Sequence, residues 1–304
     1  MISVVIATYN GQTVLPKTLK ALSLITVPSQ GVEFIFIDNA STDNSAKLLA
    51  EYINKLPLTI LQEAKQGKSF AIHKGIEQAQ GDLIVFSDDD VIPDKEWLVS
   101  YEKAAAKKES VSVFLGQIRP CWLAKPPNWL TQLSDDGKVC GCTSLALKSG
   151  AASANWAKGA NFCIRKEVLE SVSFRNDLWV AGKDCLGGED TDFVKKAEEK
   201  GFKLWFVSEA CLQHIIKPNE MTVKGIWYRY FRIGRSIENL DNSSANEKVM
   251  FIGYPRWFIV QQSKQLMKLL LNVVMFKHYQ AMIKVIEIAV SYGQAYQNKH
   301  FNDK

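Results

Sequence analysis

The sequence predicts an α/β protein with a mostly parallel central sheet flanked by helices and a helical C-terminal extension. Three observations carry that expectation. Short apolar runs rich in β-branched residues alternate with helix-period segments between residues 2 and 90. Polar clusters follow the ends of those runs instead of interrupting them. Beyond Pro218 the alternation gives way to basic stretches of helical character.

Taken in order, residues 2–7 form the first apolar run, suited to a strand buried on both faces. Residues 12–24 place Val14, Thr18 and Leu22, with Leu15 and Leu19, at helical spacing. Residues 32–37 are a second strand ending at Asp38, and 39–43 carry turn chemistry. Helical spacing resumes over 45–54, a third strand spans 58–61, and 66–81 is a helix bracketed by glycines. Residues 83–86 form a fourth strand that runs into Ser87-Asp88-Asp89-Asp90. A helix over 97–108 follows. The stretch 118–150, rich in Pro, Gly, Trp and Cys, reads as irregular. Strand signal returns at 161–164 and 204–207, around a loop-to-helix segment over 187–201. Only the last residues, 297–304, read as disordered. The expected domains are a catalytic 1–216, divided into halves 1–117 and 118–216, and a helical basic region 217–304.

Composition narrows the function classes. The hydrophobic share of 47% and charged share of 23% fit a globular chain with a substantial core. The net charge of +5 is uneven: from residue 201 onward 14 Lys or Arg stand against 7 Asp or Glu, leaving the first 200 residues at −2. Such a tail suits a polyanionic neighbour, whether phospholipid, diphosphate or nucleic acid, or is simply a solvated helix face. No recognisable nucleic-acid motif accompanies the charge, so nucleic acid ranks last. Of six cysteines only Cys140 and Cys142 are close, which argues against a zinc site and for free thiols in a reducing cytoplasm. The opening MISVVIATYN has no basic leader before its strand-like run, and no signal peptide is expected. No run of 18 apolar residues occurs; 257–292, broken by lysines, reads as amphipathic helix with a potential for peripheral membrane contact. The aromatics of 227–232 are expected to pack on the catalytic domain.

Three constellations carry chemistry. Asp88 and Asp90 alternate at a strand end, where two carboxylates can hold a divalent cation against a diphosphate; the competing reading is a turn before Val91 and Pro93. Asp38 ends the second strand, where a carboxylate can accept hydrogen bonds from a base or ribose, or make an Asx turn into a helix. Gly187-Gly188-Glu189-Asp190 opens a helix whose dipole suits acids; a carboxylate there can also serve as general base toward an acceptor hydroxyl.

The ordered set Ala7-Thr8-Tyr9-Asn10, Asp38 to Asp43, Gly81-Asp82 before the aspartate triplet, Gly159-Ala160-Asn161 and Gly188-Glu189-Asp190 resembles family 2 glycosyltransferases of the GT-A fold, over roughly residues 1–236. The resemblance implies an inverting, metal-dependent transfer from a nucleotide-diphosphate sugar, with UDP favoured. The acceptor would be a hydroxyl of a glycan or lipid-linked glycan, in polysaccharide or cell-surface glycan synthesis. It implies Asp190 as catalytic base with Glu189 beside it, and Thr8, Tyr9, Asn10, Asp38, Lys68, Asp88 and Asp89 around the nucleotide. Asp90, Asp88 and His214 would take Mn2+ or Mg2+. Asn161, Gly188 and Glu189 would line the sugar and acceptor side, and Arg235 would reach a phosphate. Two departures stand out. The Ala-Arg-Asn run of relatives is replaced by Lys68 to Gly75, so that Lys68 or Lys74 supplies the cation. The Gln-x-x-Arg-Trp element of processive synthases is absent, since Pro255-Arg256-Trp257 lacks its glutamine. The rival readings are a sugar-phosphate nucleotidyltransferase, which would carry more glycine after the first strand than Gly11 alone, and a non-catalytic nucleotide-sugar-binding module.

Overall fold

The computed structural model describes residues 1–175, 187–240, 250–251 and 254–302. In chain order the elements are β1 (Ile2–Thr8), α1 (Leu15–Leu22), β2 (Val32–Asp38), α2 (Ser45–Ala50), β3 (Leu58–Gln62) and α3 (Lys68–Gln78). There follow β4 (Leu83–Asp88), β5 (Val91–Pro93), α4 (Trp97–Lys107), β6 (Val113–Trp122), α5 (Asn128–Asp135), β7 (Gly150–Ala151) and β8 (Asn161–Arg165). Then come α6 (Glu189–Glu199), β9 (Leu204–Ile216), α7 (Val223–Leu240), the antiparallel pair β10 (Met250–Phe251) and β11 (Tyr254–Pro255), α8 (Arg256–Val274) and α9 (His278–Asn302). The chain divides into two compact units: 1–123, 134–177 and 189–216 in the first, and 124–133, 178–188 and 217–304 in the second.

The first unit is built on one nine-stranded sheet in the order β3-β2-β1-β4-β8-β6-β9-β5, with β7 beside β9. The parallel expectation holds for β1 to β4, whose neighbours all run the same way. Beyond β4 the sheet is mixed: β8 is antiparallel to both β4 and β6, and β5 is antiparallel to β9. The first four strands are continuous apolar runs because both their faces are covered. Alternation sorts them cleanly. Ile2, Val4, Ile6, Phe34, Phe36 and Val85 face a core with α1 and α4, through Leu15, Leu19, Trp97 and Tyr101. Val5, Ile35, Ile37, Ile84 and Phe86 face the other core with α3 and α6, through Ala71, Ile72, Phe193 and Val194. Each such side chain, fully buried, stabilises the fold by about 1.5–3 kcal/mol before the entropy of ordering it is counted.

Register positions the site. Thr8 lies opposite Asp38, and Ala7 opposite Asp88, so the polar residues come level at the carboxyl ends of the parallel strands. An aromatic cluster then anchors α6 beneath them: Phe174 stacks on Phe193 at 4.3 Å between centroids, and Phe86 lies 5.1 Å from Phe174. Phe86 is two residues before Asp88 and Phe193 three after Asp190, so this apolar contact sets the spacing of two acids remote in sequence.

The irregular reading of 118–150 is corrected in part. β6 continues to Trp122, and α5 spans Asn128–Asp135. The strand over 204–207 extends to Ile216, with a register shift at Gly116/Gln117 in its partner β6. That irregularity places the half-buried Ser208 and the exposed Glu209 against Ser149, so polar residues interrupt the pattern without ending the strand.

The second unit is helical. Trp227 and Phe231 of α7 pack on Tyr292 and Tyr296 of α9 at 6.2 and 5.5 Å, and Phe258 of α8 meets Tyr292 at 5.2 Å. The aromatics expected against the catalytic domain thus find partners within the helical unit. Residues 297–302, read as disordered, belong to α9, where Gln297 and Asn298 bond Arg235 and Glu238. Among the described residues no helix is long and apolar enough to cross a membrane.

Candidate active site

Lys68 is the centre of the arrangement. It opens α3, and its approach is fixed by Asn39, whose side-chain oxygen accepts from the Gly67 amide at 2.7 Å. The Asn39 amide in turn donates to the carbonyls of Glu63 and Lys65. From that start the Lys68 ammonium donates to Asp88 Oδ1 at 2.8 Å and to Asp190 Oδ2 at 2.9 Å. One cation therefore joins the end of β4 to the first turn of α6, across 102 positions of sequence.

The electrostatics follow from burial and like charge. Burial alone would depress the Lys68 ammonium; the carboxylates of Asp190, Asp88 and Glu189 outweigh it and hold the pKa well above the lysine value. Burial pushes the Glu189 carboxyl up to about 7, helped by the charge of Asp190. Asp190 is also raised by burial, against the pull of Lys68. Its second oxygen, Oδ1, is buried and accepts no hydrogen bond among the described residues. Gly159 abuts the same carboxylate: a Cβ there would come within 1.9 Å of Asp190 Oδ2, so only glycine permits this approach. Gly188 enters α6 with a φ of +105°, a conformation glycine accepts without strain.

The turn after β4 makes the second cluster. Asp89 accepts a short hydrogen bond from the Thr8 hydroxyl, and its carbonyl accepts from Thr18 at 2.7 Å. Asp90 faces His214 of β9, with Nε2 3.3 Å from Oδ2. The other imidazole nitrogen, Nδ1, lies 2.7 Å from the Cys140 carbonyl oxygen, which can only accept; Nδ1 therefore carries the proton. In the neutral ring Nε2 then presents a lone pair to a carboxylate. Two acceptors so placed call for a proton or a cation between them. The pair fits Mn2+ or Mg2+ by donor type, imidazole favouring the former. Among the described residues no group of three or more His, Cys, Asp or Glu gathers, so these two side chains would fill only part of a coordination shell.

Asp38 is 3% exposed and accepts from the Ser41 amide and from Gln62 Nε2, at 3.0 and 3.2 Å. The Asx turn is thus real, and the buried carboxylate stays at the strand end. Asn10, at φ +53°, accepts from the amide of Thr42, and the exposed Tyr9 accepts at its hydroxyl from Gln66.

Two expected site residues are not presented as expected. The Asn161 side chain is 1% exposed and fully engaged: Trp97 and Tyr101 donate to its oxygen, both at 2.8 Å, and its amide donates to the carbonyls of Gln117 and Ala210. It ties β8 to α4, β6 and β9 instead of lining a sugar pocket. Asn161→Ala is expected to lower stability by about 3 kcal/mol, since four buried groups lose their partner; urea unfolding monitored by tryptophan fluorescence measures it, and a loss under about 0.5 kcal/mol would contradict the assignment. Arg235 is engaged inside the helical unit, donating to Gln297 at 3.0 Å and lying over Tyr296. Lys74 bonds the Gln62 carbonyl, which leaves Lys68 as the cation placed among the acids.

A four-stranded parallel half-sheet with acids at its carboxyl edge, continued by a mixed sheet that returns a histidine on β9 and a helix α6 that returns a further acid, defines a GT-A-type nucleotide-sugar transferase fold. The profile described as Glycosyl transferase family 2 matches residues 3–165, more than half of the chain, and the chain belongs to that family. Among similar proteins, Glycosyltransferase AglE of Haloferax volcanii is 26% identical over 240 residues, covering 77% of this chain and 72% of AglE. The mannosyltransferase PcManGT from Pyrobaculum calidifontis, solved with GDP-Man and Mn2+, has a TM-score of 0.66 at 16% identity, covering 100% of this chain and 88% of that one. Staphylococcus aureus TarS 1-349, solved with UDP-GlcNAc, has a TM-score of 0.56 at 17% identity, covering 96% and 91%. These likenesses establish the GT-A fold.

Proposed function

We propose that the chain is an inverting, metal-dependent glycosyltransferase that uses a UDP-sugar and glycosylates a hydroxyl of a glycan or lipid-linked acceptor on the cytoplasmic side, in cell-surface polysaccharide synthesis. The observation that carries this reading is the convergence of Asp88 and Asp190 on the Lys68 ammonium. A binding module would have no use for a buried carboxylate with an unengaged oxygen beside the diphosphate acids.

In this reading Asp38 and the Thr8-Tyr9-Asn10 turn hold the nucleoside, and Asp88 and Asp89 the ribose side. Asp90 and His214 hold the cation. A divalent cation there supplies charge neutralisation for the departing diphosphate. Lys68 binds the diphosphate as well, since a phosphate oxygen is the natural competitor for an ammonium shared by two carboxylates. The acceptor oxygen attacks the anomeric carbon from the face opposite the diphosphate. The carbon–oxygen bond to the nucleotide breaks, its electron pair leaves with the diphosphate, and the acceptor proton passes to Asp190. Glu189, ionising near neutral pH, lies beside that base, and the Gly188 backbone approaches the sugar or acceptor.

Isothermal titration with UDP tests the first step. Binding is expected to require Mn2+ or Mg2+ and to weaken at least tenfold in EDTA. A panel of nucleotide sugars, read by released nucleotide, identifies the donor. UDP affinity unaffected by metal would remove the metal from the reading.

A further inference from the structure

One end of the helical unit has no counterpart in the transfer chemistry. Along α8, Met267, Leu270, Leu271 and Val274 recur at helical spacing, and all are exposed. The stripe continues over the α8–α9 corner through Met275 and Phe276, and Phe276 is 80% exposed. The opposite side of α8 is the one buried, through Phe258 and Gln262. A contiguous apolar patch of this kind calls for a covering.

Its charge indicates what covers it. From Tyr254 to Gln280 the sequence holds four Lys or Arg and no Asp or Glu. Lys264, Lys268, Lys277 and His278 are exposed and flank the apolar stripe. At the same corner a cleft of about 670 Å3 is lined by Trp129, Phe276, Lys277, His278 and Tyr279, combining aromatic walls with the Lys277 ammonium. A second protein surface would have to supply an acidic rim around an apolar centre. A bilayer of anionic phospholipid supplies both at once, with acyl chains for the stripe and phosphates for the lysines.

We propose that the α8–α9 corner is an interfacial docking surface for anionic phospholipid, on which the unit rests without spanning the bilayer. The corner inserts Leu270, Val274 and Phe276 below the head groups, Lys264 and Lys268 remain at phosphate level, and the Trp129 cleft takes a head group. The surface stands apart from the transfer reaction, and its test needs neither donor nor acceptor.

The full chain is mixed with vesicles of phosphatidylcholine alone, or with a third of phosphatidylglycerol, and sedimented. The wild type is expected to sediment with the anionic vesicles and to be released by high salt. Leu270→Asp with Val274→Asp, both on the exposed face, should abolish sedimentation while the far-UV circular dichroism and UDP binding stay unchanged. Lys264→Gln with Lys268→Gln should weaken binding about thirtyfold. Wild-type protein left in the supernatant at low salt would overturn the proposal, as would undiminished binding of the aspartate variant. So would a wild-type dimer in light scattering that the aspartate variant turns into monomer, because a second copy would then cover the face.

Discussion

Asp190→Asn is expected to lower sugar transfer by about 10²–10⁴-fold while UDP binding changes less than threefold. The substitution keeps the shape of the side chain and removes its basicity. Asp190 is suited to the role by three features: burial raises its carboxyl above the ordinary value, Lys68 holds Oδ2, and Oδ1 is left as a buried acceptor. An acceptor hydroxyl bonded to Oδ1 would lose its proton there as the bond to the anomeric carbon forms. In the proposed reading the nucleotide is held at the strand ends through other groups, so its affinity should persist. Release of nucleotide from the donor, measured beside UDP titration, separates the two effects. Full activity in the variant would eliminate Asp190 as the base and leave Glu189, the neighbouring acid, as the candidate.

Lys68→Met should have the broadest effect of any single change, because in the proposed reading it acts on charge balance, donor binding and the base together. Its ammonium lowers the pKa of a carboxyl beside it; without it, Asp190 and Glu189 hold their protons to higher pH. The base must be ionised to work, so the rising limb of the pH–rate profile moves toward alkaline pH. At pH 7 the rate falls by about tenfold or more, with partial recovery on raising the pH. Stability falls as well, since two carboxylates lose a shared counter-ion. The Lys68 side chain is 23% exposed, so water screens part of the loss, and about 1–3 kcal/mol is expected in place of the larger figure for a fully buried pair. Lys68→Arg should retain the position of the limb. A variant whose limb does not move, with an unchanged UDP affinity, would show that Lys68 does not couple the diphosphate acids to the base.

The parallel half of the sheet was legible because strands buried on both faces must be apolar throughout, and that signature survives in a single sequence. The turns were legible for the same local reason: Asp38, Asn39 and the aspartate triplet follow strand ends where backbone groups need polar partners. The misreadings share a cause. β6 from Ile118 onward and β9 beyond Val207 are held by pairing with each other across a register shift, and no local pattern announces a partner ninety residues away. The resemblance set Asn161 on the sugar side; its four partners come from α4, β6 and β9, and only their convergence uses up its hydrogen-bonding capacity.

The amino-acid order by itself determined the alternation of strands and helices, the family, and the edge of the sheet at which the acids collect, since periodicity and turn chemistry act over a few residues. Tertiary structure decided which charges neutralise which. Lys68 could have faced solvent, and His214 could have been an ordinary core histidine. Packing of Phe193 against Phe174 and Phe86 brought Asp190 to Lys68 and Asp88, and the carbonyl of Cys140, accepting from Nδ1, turned His214 Nε2 toward Asp90. Coulomb and hydrogen-bond energies depend on distances of a few ångströms, and those distances are fixed by contacts between segments that the linear order keeps far apart.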